Sequence, residues 1–183
     1  NIDLFSRVHV RDFYVEDYQQ DTLLYARRAE VAISSLNILR EGVVLTEAKA
    51  EGARFFLREL PSGEINVRPI VLRMQKPNPK GNFRLLIEDI EARDAAFLFE
   101  RLEHRNPEYG IDYYNMYIHD INAKIDRLSV AKGGVEVDIA ELSAEERSGF
   151  RLDDLACELD VERGLIRFTD FSASTPTSSI YLP

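Results

Sequence analysis

Tryptophan is absent, methionine occurs twice and cysteine once, so the chain has neither an internal disulfide nor a multi-thiolate metal site. Histidine is nearly as scarce. His9, His104 and His119 have no second histidine or cysteine at ligand spacing, which argues against zinc and for ordinary strand or loop positions. No stretch approaches the roughly 18 to 20 apolar residues that cross a bilayer. The GxSxG, P-loop and GxGxxG signatures are missing, and with them any support for an activated serine or a phosphate-cradling loop. With 23 Lys and Arg against 32 Asp and Glu, a net charge of −9, the chain lacks the concentrated positive charge that nucleic acid demands.

What is present is strand. The 183 residues are 45% hydrophobic and 30% charged, enough for one ordinary domain or two very small ones. Apolar and polar residues alternate over short lengths, as in Ala53-Arg54-Phe55-Phe56-Leu57-Arg58 and Gly134-Val135-Glu136-Val137-Asp138-Ile139. Further strands are expected at residues 23–33, 43–50, 65–72, 83–90, 114–128, 155–161 and 165–171, all rich in β-branched or aromatic residues. Turn chemistry separates them at residues 61–63, 76–82, 132–134 and 162–164. Helix is confined to one or two short turns. Ser34 or Ser35 can cap one through Leu36, Ile38 and Leu39 with Gly42 at its exit, and Ser143 with Glu146 has capping-box spacing with Gly149 as a stop. Residues 94–105 fit either period and are read as strand. The chain opens at Asn1 without a methionine or a signal-like segment, as expected of a piece of a longer polypeptide.

Five places share the arrangement apolar-x-apolar-x-Asp-apolar-x-small: residues 8–15, 85–92, 116–123, 150–157 and 166–173. The alternation slips by one residue at Asp12, Asp89, Asp120, Asp154 and Asp170. A slip of phase within one strand is what a β-bulge produces, because the extra residue lets both halves face the same side while the strand twists more strongly. Long strands in a meander, each bent at a solvated Asp, are the expected architecture.

Side chains that could carry chemistry have plainer uses. Cys157 holds the small position of the repeated pattern and reads as packing rather than as a nucleophile. Glu88-Asp89 and Asp153-Asp154 are adjacent strand residues that point to opposite faces and share no substrate, so they read as solvated. Residues 100–110 form a mixed-charge connection ending in Pro107 and Gly110, either a partner contact or a long loop. A long antiparallel sheet that is apolar on one face, with too few helices to cover it, must fold on itself as a closed sandwich, dimerise or leave a trough for a ligand.

Residues 24–45, Leu-Tyr-Ala-Arg-Arg-Ala-Glu-Val-Ala-Ile-Ser-Ser-Leu-Asn-Ile-Leu-Arg-Glu-Gly-Val-Val-Leu, resemble the AsmA-like and TamB families of bacterial envelope proteins. There a strand, a short helical turn ending in Leu-x-x-Gly and a second strand lead to an (Asp/Ser)-Gly-x-x-Asn turn, matched here by Leu60-Pro61-Ser62-Gly63-Glu64-Ile65-Asn66-Val67. Residues 148–155 and 175–180 look like later strands of the same repeating region, and residues 12–17 and 102–107 look like the large TamB-type proteins of the Bacteroidetes. The resemblance covers nearly the whole chain through degenerate strand patterns. It implies an all-β, elongated, curved and mainly antiparallel sheet with a U-shaped groove, residues 1–183 forming one β-repeat segment with sub-repeats at 1–75 and 83–183. It implies a periplasmic setting, an inner-membrane anchor elsewhere in the parent, no catalytic centre and no cofactor. The implied function is outer-membrane biogenesis, by passage of phospholipid along the groove or by help in assembling outer-membrane proteins. The outer-membrane partner would be engaged by parts of the parent outside this chain. A scaffold pairing through exposed strand edges is the rival. By alternation alone, the groove candidates for acyl chains are Val31, Ile33, Phe55, Leu57, Ile65, Val67, Leu85, Ile87, Phe97, Phe99, Val135 and Val137, with half of them expected in closed core.

Overall fold

The computed structural model describes residues 6–37, 42–69, 84–102, 107–131, 134–162 and 165–183. They form eleven strands: β1 (Ser6–Glu16), β2 (Thr22–Asn37), β3 (Gly42–Arg58), β4 (Leu85–Ile87), β5 (Ile90–Glu100), β6 (Asn115–Ala131), β7 (Gly134–Glu146), β8 (Arg151–Leu152), β9 (Asp154–Glu162), β10 (Leu165–Thr175) and β11 (Ser178–Leu182). All belong to one sheet in which paired strands run antiparallel, except that β3 runs parallel to β4 and β5. The fold is thus all-β and mainly antiparallel, as alternation and the scarcity of helix signals imply. Every substantial contact between elements joins strands close together in this sheet, and among the described residues no second layer packs on either face.

Over their described residues the two expected helical turns are mainly strand instead. Ser35 and Leu36 pair with Val44 and Val43, so β2 extends into the first of them, while residues 38–41 lie outside the described residues. Ser143 to Glu146 belong to β7, and Glu146 turns its carboxylate to other amides: it accepts from Tyr117 N at 3.3 Å and Ser148 N at 2.8 Å. Residues 94–100 are strand in β5, as expected. A strand at residues 65–72 is not formed over its described part, where Ile65 makes one isolated bridge to Glu59. The turns at 76–82, 132–133 and 163–164 lie outside the described residues.

The Asp-centred slips are real where the strand is continuous. Asp12, Asp120 and Asp170 adopt left-handed backbone at φ 50°, 50° and 49°, whereas Asp89 falls in the gap between β4 and β5 and Asp154 opens β9 after a break. Asp94 (φ 49°) and Gly52 (φ 64°) do the same without matching the pattern. These positions are aligned. Pairing skips Asp12 and Arg27 between β1 and β2, Arg27 and Gly52 between β2 and β3, and Gly52 and Asp94 between β3 and β5. The line continues through Asp120 to the break at Asp153. A second line runs from the register shifts at Ile33 through Glu88-Asp89 and Ile125 to Asp170. Since a bulge bends its strand and increases its twist, two aligned rows crease the whole sheet along two transverse lines and curve it.

Candidate functional site

Residues directly opposite one another on paired strands share a face. Val8, Val31, Ala48, Ile90 and Ile125 form one such row from β1 to β6, and Val10, Ala29, Ala50, Ala92, Ala123 and Leu142 form the next, reaching β7. Beyond the second crease the rows grow bulkier: Val43, Leu85, Val130, Val135, Val161 and Ile166, then Ile33, Leu45, Ile87, Leu128, Val137, Leu159 and Phe168. Beyond the first crease lie Leu24, Phe55, Phe97 and Ile118, with Leu57 opposite Phe99 and the Phe55 and Phe97 rings 6.1 Å apart.

The other face is charged and continuous across the first crease, which fixes the sidedness of both. Arg27 bridges Glu51 at 2.7 Å and Asp94 at 3.5 Å, Arg54 reaches the same Asp94 at 3.3 Å, and the Tyr25 hydroxyl donates to Asp12 at 2.8 Å. Glu51 and Arg54 are three residues apart, so they share a face only because Gly52 slips the phase. Between the creases the charges alternate in sign strand by strand: His9, Glu30, Lys49, Glu91, Lys124 and Glu141 stand in register from β1 to β7. Lys124 lies 2.9 Å from Glu141, and this partner raises the ammonium's affinity for its proton.

Ten of the twelve groove candidates, Val31, Ile33, Phe55, Leu57, Leu85, Ile87, Phe97, Phe99, Val135 and Val137, therefore stand together on the apolar face. Ile65 and Val67 lie apart from them in the connection after β3. All twelve are half-buried. The buried apolar residues are Leu23, Ala26, Ala95, Ala96, Ala123 and Cys157, so none of the candidates is enclosed core. Alternation found this face but missed its smaller members, because Ala29, Ala50, Ala92 and Ala123 signal weakly in hydropathy and only the register reveals their row.

Cys157 is buried, and desolvation followed by the nearby Asp138 carboxylate pushes its thiol pKa up, the opposite of an activated nucleophile. His119 contacts Asp120 at 2.8 Å and His9 lies 3.2 Å from Glu30, while His104 is outside the described residues, as is part of the 100–110 connection. Among the described residues no cluster of three or more His, Cys, Asp or Glu is placed to hold a metal ion, and no helix is long and apolar enough to cross a membrane. An opening of about 780 Å³ lies on the charged face, lined by His9, Arg11, Arg28, Lys49, Arg93 and Asn122 together with the acidic residues Glu30, Glu51, Glu91 and Asp94.

Asn66 is fully buried, at 1% exposure. Its amide donates to Asp17 at 3.0 Å and to the Phe56 carbonyl at 3.1 Å and accepts from Arg58 N at 3.1 Å, tying the 59–69 connection and the β1–β2 turn to the end of β3. The Ser-Gly-x-x-Asn signature thus has a structural task. Compared with known proteins, the chain matches no family profile, no curated protein and no solved structure, so its likeness to the AsmA and TamB families stands on the quoted motifs alone.

Proposed function

We propose that this chain is a non-catalytic segment of an AsmA/TamB-like envelope protein that holds phospholipid acyl chains on the apolar face of its sheet. The observation that carries this reading is the apolar face itself, continuous over at least six strands, creased along two lines and covered by no other described element. Apolar surface on that scale marks an interaction site, and a bound acyl chain gains roughly 0.8 kcal/mol for each methylene it buries. No residue-specific chemistry is needed for such binding. The rows run across the strands, so a chain lying along one of them passes from strand to strand without meeting a charge, which suits movement along a surface. The resemblance to envelope proteins supplies the periplasmic setting and the class of ligand.

The test is a double substitution, Phe55→Asp with Leu57→Asp, placed on the apolar face beyond the first crease. Both side chains are half-buried rather than enclosed, so circular dichroism is expected to report an intact sheet. Binding of a fluorescent-tailed phospholipid, measured by anisotropy, is expected to fall at least tenfold, in line with the loss of a few buried methylenes. Unchanged binding by the folded variant rejects the assignment of these residues to the acyl-binding face.

A further inference from the structure

Between the creases of the charged face one cross-strand contact breaks the rule of the others, whereas beyond the second crease Glu136 opposes Asp160 and Asp138 opposes Glu158. Glu30 opposes Lys49, Lys49 opposes Glu91, Glu91 opposes Lys124, Arg28 opposes Glu51 and Glu51 opposes Arg93, each pair opposite in sign. Arg11 opposes Arg28. Like charges directly across a ladder are destabilising. The neighbouring carboxylates are already engaged, Glu51 at 3.0 Å from Arg28 and 2.7 Å from Arg27 and Glu30 at 3.2 Å from His9, and Arg11 has no ion-pair partner among the described residues. Both arginines line the opening on that face.

Arg11 belongs to β1, the edge of the sheet. On that strand Val8 and Val10 stand on the apolar face at 39% and 38% exposure, while Arg7, His9 and Arg11 stand on the charged one. A ligand lying on the apolar rows that turns round this edge meets Arg11, flanked by Arg7, which pairs with Glu30 and with Glu47 at 2.9 Å, and by His9, 3.2 Å from Glu30. The opposite edge offers nothing comparable: β11 (Ser178–Leu182) carries no charge, and Arg167 on β10 is paired with Asp160 at 3.2 Å. An arginine on an edge strand can keep its stem against the sheet and carry its guanidinium to the rim.

We infer that the β1 edge is a headgroup seat, in which Arg11 and Arg28 take the phosphate of an anionic phospholipid whose acyl chains lie on the Val8 and Val10 side. This rests on the acyl-binding reading above and adds to it a place and a charge preference for the headgroup. The phosphate supplies the anion that the Arg11–Arg28 contact lacks, by the bidentate geometry that guanidinium groups favour. It does so on a chain whose net charge of −9 otherwise repels anionic lipid, so any preference must be local.

The experiment compares short-chain phosphatidylglycerol with short-chain phosphatidylcholine, as monomers, for the wild-type chain and for Arg11→Glu. That substitution gives Arg28 an opposite charge, so it is expected to leave the thermal midpoint unchanged or higher. Wild type is expected to bind phosphatidylglycerol roughly five- to tenfold more tightly, as one basic residue at a lipid surface allows, with the advantage shrinking as salt rises. Arg11→Glu is expected to erase that advantage, weakening phosphatidylglycerol binding more than phosphatidylcholine binding, because phosphatidylcholine offers the same phosphate with its own cation beside it. Equal binding of both lipids by wild type, or a preference that survives Arg11→Glu, overturns the headgroup seat and leaves the acyl-binding face standing. Failure of wild type to bind either lipid removes the acyl-binding face and the seat with it.

Discussion

Asn66 and Asp17 show how much of this sheet depends on a few buried polar side chains. Asn66 satisfies backbone groups of Phe56 and Arg58 at the end of β3, and Asp17 accepts from the amides of Gln19 at 2.8 Å and Asp21 at 3.1 Å as well as from Asn66. Asn66→Ala leaves these groups buried without partners, and urea unfolding is expected to register a loss of about 2–3 kcal/mol. Asp17 and Glu146 also set the acid response. Burial alone raises each carboxyl pKa, but it is outweighed, at Asp17 by the Asn66 side chain, the Gln19 and Asp21 amides and Arg58, and at Glu146 by hydrogen bonds from Ser148 and Tyr117 and the charge of Arg147. Both native pKa values are therefore lowered. A carboxylate that holds its proton less tightly when folded contributes stability that is complete above the unfolded chain's carboxyl range and is lost as pH falls through the native value. The urea midpoint is expected to be flat near neutrality and to drop in acid, and Asp17→Asn is expected to shrink that drop while lowering the neutral plateau.

At the scale of the strand, the decisive residues are those that slip its phase. An L-residue other than Asn or Asp pays about 1–2 kcal/mol for left-handed backbone. Asp170 is the cleanest place to measure this, because its side chain makes no hydrogen bond or ion pair among those described. Asp170→Gly is expected to be neutral or mildly stabilising, and Asp170→Val to unfold about 1–2 kcal/mol more easily than Asp170→Gly in urea. Equal stabilities would mean that the bend at β10 does not depend on the residue. The slips were legible as apolar-x-apolar-x-Asp-apolar, and they place bends correctly at Asp12, Asp120 and Asp170. Gly52 and Asp94 escaped the pattern because alanines flank them, Ala50 and Ala53, Ala92 and Ala95, and alanine marks a face too weakly to reveal a change of phase. The Ser143-x-x-Glu146 spacing misled for a different reason: Glu146 does bond backbone amides as a capping residue would, but they belong to the β7–β8 turn and to β6. The parallel pairing of β3 with β4 and β5 had no local signal at all, since the apolar content of Ile65 and Val67 imitates a strand in the connection that makes the crossover.

For the whole molecule, one fact governs the rest: a single creased sheet with an apolar face and a charged face, and nothing described upon either. Alternation foretold the all-β class and assembled ten groove candidates on one side, and it could not foretell that the sheet stays in one layer, because a closed sandwich has the same period. Partition between those outcomes depends on which distant rows meet, and that lies in the register. If the apolar face is kept dry by lipid, removing lipid leaves it to associate with itself. Extraction with detergent followed by detergent removal is expected to turn a monomer into larger species by light scattering, and adding back phospholipid to reverse this. The measurement that bears most directly on the account is native mass spectrometry of the folded chain, with organic extraction and lipid identification beside an equally treated control protein. The account predicts co-purifying phospholipid, lost from the folded Phe55→Asp, Leu57→Asp variant. A lipid-free monomer that also takes up none on incubation would contradict it.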